Sequence, residues 1–195
     1  MQHKNIHEGR RRNQQTYAAI IRAALIVVEE KGYSGTSIEA IAKAAGAGKQ
    51  TIYRWWENKA HLFLEVYLSL ACEEKLHADT GNLFDDIEAL LINLFVIYRQ
   101  TPAALILTGL VQESQTNEDM RHHIVDMLIT KRRGVVGSLF ERAKHRGELH
   151  AEADIDIAVD TISGAIWLRL FLKHEPLDNV FAKQLAQQVI QGVGL

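Results

Sequence analysis

The thirteen residues from Ala44 to Trp56, AAGAGKQTIYRWW, concentrate groups that could bind an anion. Gly48-Lys49 with Thr51 close behind resembles the end of a phosphate-binding P-loop. That pattern, G-x-x-x-x-G-K-[ST], needs glycine where Lys43 stands and a hydroxyl where Gln50 stands, and it follows a strand. The basic and aromatic residues fit nucleic acid better. The first turn of a recognition helix enters the major groove, which would bring Lys49, Gln50 and Thr51 to base edges. Lysine reaches guanine O6 or N7, glutamine pairs with an adenine edge, and a threonine methyl touches thymine. One turn on, Tyr53 and Arg54 would meet phosphate oxygens. Trp55 could donate its indole N–H to a phosphate or pad the helix junction. Ile52 and Trp56 share a face and should pack inward. Lys59 opens the next helix, where backbone amides also attract anions.

A second set of residues invites metal chemistry. Glu74-x-x-His77 and Asp119-x-x-His122 have the carboxylate–imidazole spacing of di-metal helical bundles. Such a site needs two more inward carboxylates, and Glu88 and Asp126 are only nominal candidates. Both pairs fall at expected helix ends, where charged groups are solvated. No catalytic residue, metal or cofactor is therefore expected. Cys72 is the one cysteine, which excludes an intrachain disulfide framework and a four-cysteine zinc site.

Helices must position these groups. Only Pro102 and Pro176 occur, and no segment alternates like a strand, so the chain reads as all-α. Residues 1–12, with three consecutive arginines, read as a mobile arm. Tyr17, Ile20, Ile21, Ala24, Leu25 and Val28 recur with helical period, and Gly32 ends that helix. Thr36 with Glu39 reads as a capping box for a short second helix, ended by Gly46. A third runs from Gly48 or Lys49 to about Trp56, completing a helix-turn-helix. Asn58 caps a fourth, to about His77. Further helices are expected to end near Thr101, over Ala103–Glu113, over Glu118–Arg146, over Asp154–Lys173 and over Asp178–Val193, nine in all.

Charge divides the same way. Residues 1–60 hold 10 Lys/Arg against 5 acids, and residues 61–195 hold 12 against 19. A basic head on an acidic body gives a polyanion footprint at one end. No apolar run reaches the ~18–20 residues that cross a bilayer, and the N-terminus lacks a signal-peptide core, so the expected location is cytoplasmic with no membrane partner.

The run AALIVVEEKGYSGTSIEAIAKAAGAGKQTIYRWWENKAHLF resembles the TetR/AcrR family of bacterial transcriptional regulators. It shows the family's glycine-aromatic stop, capped second helix, IA..AG turn, Y-x-x-[FW] recognition helix and lysine-containing fourth helix. The resemblance implies a three-helix DNA-binding domain over 1–60 and a six-helix ligand-binding and dimerisation domain over 61–195. It implies a dimeric repressor that leaves a palindromic double-stranded operator when a small effector binds. Carried over by position, the resemblance implies that Thr36 caps its helix next to the DNA backbone and touches a phosphate, that Lys49, Gln50 and Thr51 face the groove, and that Tyr53, Trp55 and Lys59 meet phosphates. Gly48 replaces a frequent serine and Trp55 a frequent His or Tyr.

In the body, Tyr67, Tyr98, Thr108, Gln112, Met127 and Trp167 are candidate polar or aromatic anchors of an otherwise apolar effector pocket. Ile162, Ala165, Ile166, Leu170 and Val189 form the expected homodimer interface, as the family's last two helices imply. The alternatives in other classes are a helical metal enzyme and an interaction module without a DNA role.

Overall fold

The computed structural model describes residues 3–72, 76, 78–126 and 130–194, and their side chains except those of residues 3–12 and 131–133. Glu74, His77 and Met127 lie outside the described residues. Among the described residues ten helices account for the fold: α1 (His3–Gly35), α2 (Ile38–Ala45), α3 (Lys49–Tyr53), α4 (Lys59–Leu70), α5 (Leu83–Gln100), α6 (Ala103–Ser114), α7 (Glu118–Ile124), α8 (Thr130–Arg146), α9 (Ile155–Leu172) and α10 (Asn179–Val193). Among the described residues there is no strand, only one antiparallel bridge between Leu149 and Gly194.

Polar caps start most of these helices. Asn58, Asn82, Asn117, Asp154 and Asp178 each accept a backbone N–H from three residues on, closing the first turn. A cap of this type contributes ~1 kcal/mol relative to alanine. The second helix corrects the capping box: Ser37 is the cap, accepting from Ala40 N. Thr36 is buried, and its Oγ1 donates to Gly32 O at 2.7 Å. Gly32 explains the exchange. With φ 68° and ψ 170° it breaks α1 in a conformation reserved for glycine, so its carbonyl turns toward Thr36.

Other boundaries also differ from expectation: α3 ends at Tyr53 rather than near Trp56, and α4 at Leu70 rather than near His77. The first helix begins at His3, so the expected arm is helical; its residues include Lys, Glu, Arg and Gln, all good helix formers. The helix expected over Glu118–Arg146 is described as α7 and α8, and residues 127–129 between them lie outside the described residues. Thr130 Oγ1 donates to Val125 O at 3.2 Å.

One continuous core joins the head and the body. In the head, α2 packs on α1, with Ile20, Ala24, Ile38, Ile41 and Ile52 buried. In the body, α10 packs along α5 and α9, while α6 packs against α1 and α4. Gly109 makes that last approach possible: a Cβ there would lie 2.1 Å from Tyr33 Cγ. Asp86, fully buried, ties the far end of the body, bonded by Thr80 N and Oγ1 and facing Arg146 at 3.3 Å and Arg142 at 3.9 Å. No single helix among the described residues is long and apolar enough to cross a membrane.

Candidate nucleic-acid interface and effector cavity

The turn between α2 and α3 is set by Gly46, left-handed at φ 62° and ψ 30°, whose N–H reaches Lys43 O while Ala47 N reaches Ala42 O. This aims the start of α3 outward. Gly48 caps it by backbone alone. Lys49, Gln50, Tyr53 and Arg54 are exposed and Thr51 is half-buried, while Ile52 and Trp56 are buried against the head.

Lys49 is not idle. Its Nζ lies 2.8 Å from Glu39 Oε1 across the turn. The hydrogen bond and charge of each partner hold the Glu39 carboxyl below its usual range and the Lys49 ammonium above it. Both are exposed, so water and salt screen the pair, and a phosphate could replace the carboxylate.

Two sequence-derived contacts turn inward. Lys59 Nζ donates to Tyr33 O at 3.1 Å and stands 4.2 Å from the Tyr33 ring centroid. Thr36, bonded to Gly32, presents no hydroxyl to the surface, whereas its neighbour Ser37 is exposed. Trp55 is half-buried, and its ring meets Tyr17 at 5.6 Å and Trp56 at 5.6 Å, edge-on in both cases. Trp56 Nε1 and Tyr17 OH both donate to Glu65 on α4. Burial, then the Glu65 bond, pushes the Tyr17 phenol up to about 12. Glu65 thus fastens α1 and the segment just after α3 to α4, a role with no local sequence signal.

Beyond Glu65 on the same helix, Tyr67 lines a cavity of about 230 Å³ in the body. Tyr98 and Trp167 line it too, with Leu90, Leu107, Val136 and Ile166 among its apolar walls. The hydroxyls of Tyr67 and Tyr98 are 3.0 Å apart. Two expected anchors are elsewhere. Gln112 is exposed on α6, and Thr108 bonds Ala104 O and Leu105 O of its own helix and faces a separate groove. Ile162, Ile166, Leu170 and Val189 are buried within the subunit and Ala165 is half-buried. Asp119 and His122 are exposed on α7. His61 was not anticipated. It packs edge-on against His123 with centroids 4.3 Å apart, and neither of its ring nitrogens has a hydrogen-bond partner. Burial, then His123, lowers its pKa, with Glu57 opposing.

Residues 20–66 match the family described as bacterial regulatory proteins, tetR family, and residues 77–189 match the tetracyclin repressor-like C-terminal domain. The HTH-type transcriptional regulator YdeS of Bacillus subtilis is 30% identical over 95% of this chain and 93% of its own. The DNA-binding transcriptional repressor TetR of Mycobacteroides abscessus is 28% identical over 92% and 94%. Among solved structures, the TetR family transcription regulator SCO0332 superposes with a TM-score of 0.76 at 26% identity, covering 93% of this chain and all of the other. FadR from Bacillus subtilis, solved with stearoyl-CoA, has the same fold at 19% identity and a TM-score of 0.72, over 90% and 98% of the two chains. With the helix-turn-helix presented outward and the helical body behind it, the chain belongs to the TetR family of DNA-binding transcriptional regulators.

Proposed function

We propose that the protein is a dimeric repressor that holds a palindromic DNA operator and lets go when a small apolar or amphipathic molecule enters the body cavity. The observation that carries this reading is the double duty of α4. Glu65 fastens the helix to the reading head through Trp56 and Tyr17, while Tyr67, two residues on, forms part of the cavity wall. An occupant that displaces Tyr67 therefore acts on the strut beneath α3. Release requires that it bind the non-reading conformation better than the reading one.

Within the head, taken as residues 1–60, Lys49, Gln50 and Thr51 supply base contacts, and Tyr53, Arg54 and Ser37 supply phosphate contacts. Thr36, Trp55 and Lys59 serve by bracing. Residues 61–195 form the sensing and pairing body. The pairing surface is the outer face of the last two helices, where Ile157, Leu168, Leu172 and Val180 are each more than half exposed. Apolar groups of this kind gather at subunit interfaces, and a two-fold pair sets its heads about one helical turn of DNA apart, or a multiple of it. The repressor name of the Mycobacteroides relative supports the sign of regulation. Both the operator and the effector meet the protein in the cytoplasm.

Sedimentation equilibrium at micromolar concentration tests the pairing. A dimer is expected, with Leu168→Glu shifting it to monomer and weakening operator binding. A wild-type monomer that still binds operator DNA tightly would sink the two-fold reading.

A further inference from the structure

Next to the apolar cavity lies an open groove of about 580 Å³, and Tyr98 lines both. The groove is bounded by the end of α5, the start of α6, the end of α9 and the connection to α10. Its chemistry runs against its surroundings. Although residues 61–195 are net acidic, the groove holds Arg99, Arg169, Lys173 and His174 against Glu175 and Asp178. Asp178 is already engaged, accepting from Phe181 N at the start of α10.

The two arginines are held in place. Arg99 Nη1 donates to Leu177 O at 2.8 Å and Arg169 Nη1 to Pro176 O at 2.7 Å, with the Arg169 guanidinium 3.6 Å from the Phe181 ring centroid. A guanidinium has five N–H donors, and these bonds use one of them on each fork. Lys173 adds an independent sign. It is the non-glycine residue with positive φ, 52°, among the described residues, at a helix end where glycine is the usual choice. A backbone outlier carrying a cation at the edge of a cavity points to a use for that cation.

We infer that the effector is an amphiphile with an anionic head, its apolar part in the enclosed cavity and its head among Arg99, Arg169, Lys173 and His174. This rests on the effector reading proposed above. The cavity itself offers tyrosine and serine hydroxyls, the Asp160 carboxylate and, among the described residues, no cation. A buried negative charge without such a partner is costly, so the head finds its partners in the groove. Tyr98 stands where tail and head join, and its hydroxyl meets that of Tyr67 on α4. An occupant spanning both spaces therefore presses on the contact that leads to the reading head.

Calorimetric titration of the full-length dimer with octyl phosphate, octanoate, octanol and octylamine tests this. The anions should bind about tenfold or more tighter than octanol, as charge-assisted hydrogen bonds allow, and octylamine weakest. The order of octyl phosphate and octanoate tells a phosphate head from a carboxylate. Lys173→Gln should weaken the anions several-fold and leave octanol unchanged, and Lys173→Arg should restore them. Octanol binding as tightly as octyl phosphate, or Lys173→Gln changing nothing, would overturn the anionic head and leave the cavity reading standing. Failure of all four to bind would overturn both.

Discussion

Gly109→Ala should be destabilising, although alanine is the better helix former. A Cβ built at Gly109 falls 2.1, 2.4 and 2.5 Å from Tyr33 Cγ, Cδ1 and Cβ. Ordinary carbon contacts are about 3.5–4.0 Å, so α1 and α6 must part by more than an ångström or Tyr33 must leave. Tyr33 is poorly placed to leave. It is buried, its ring lies 5.3 Å from Phe63, and its hydroxyl donates to Glu113 Oε2 at 2.7 Å. Burial and the Glu113 bond push its phenol far above the usual range, so it stays a protonated donor at any working pH. Overpacking of this kind costs ~1–3 kcal/mol, against a propensity gain of up to ~1 kcal/mol. The internal control is Gly137→Ala within α8, where nothing lies within 4 Å of the added Cβ. The same substitution there should stabilise by ~0.5–1 kcal/mol. Urea unfolding of the two variants reads the difference. Should Gly109→Ala match Gly137→Ala in sign, the close seam between head and body is wrong.

Three further outcomes are expected. Glu39→Gln frees Lys49 and removes a negative charge beside the duplex, so DNA binding should tighten with a steeper salt dependence in fluorescence anisotropy; unchanged affinity would mean Lys49 meets no phosphate or base. Asp86→Ala strands Arg142 and Arg146 and the Thr80 donors, and should cost ~2–4 kcal/mol in denaturant titration, whereas a loss under ~1 would deny the cluster a structural role. The His61 pKa is lowered by burial, so the unfolded chain takes up its proton first as pH falls below about 6.5. That contribution is present above this pH and lost below it, so the fall in melting temperature between pH 7.5 and 5.5 should shrink in His61→Leu; an equal fall in both proteins would count against the effect.

The reading head was legible because its signals are local. Gly46 and the turn it makes, the Asn58 cap and the outward Lys49–Thr51 turn each follow from a few consecutive residues. Where tertiary contacts decide, local rules failed. Thr36 reads as the cap on paper, but the break at Gly32 buries it and leaves the exposed Ser37 to cap instead. Lys59 looks like a phosphate ligand until the same break brings the Tyr33 carbonyl and ring over it. Most of the residues expected at a pairing face are buried within the subunit, for another reason. Helix α9 is apolar nearly all round, from Ile157 outside to Ile162 and Ile166 inside, so periodicity cannot choose the inner stripe. The Glu65 fastening and the His61–His123 pair join residues 48 and 62 positions apart, beyond any sequence motif.

The central claim, that α3 reads a palindromic site in DNA, is tested most directly by selecting bound duplexes from a random-sequence pool, first with the wild type and then with Gln50→Ala. The account predicts enrichment of one inverted repeat with half-sites about one helical turn apart or a multiple of it. The variant should lose preference at one position in each half-site, by ~1–3 kcal/mol, without losing the repeat. No enrichment over the starting pool, or a variant that selects the same site with the same preference throughout, would contradict it.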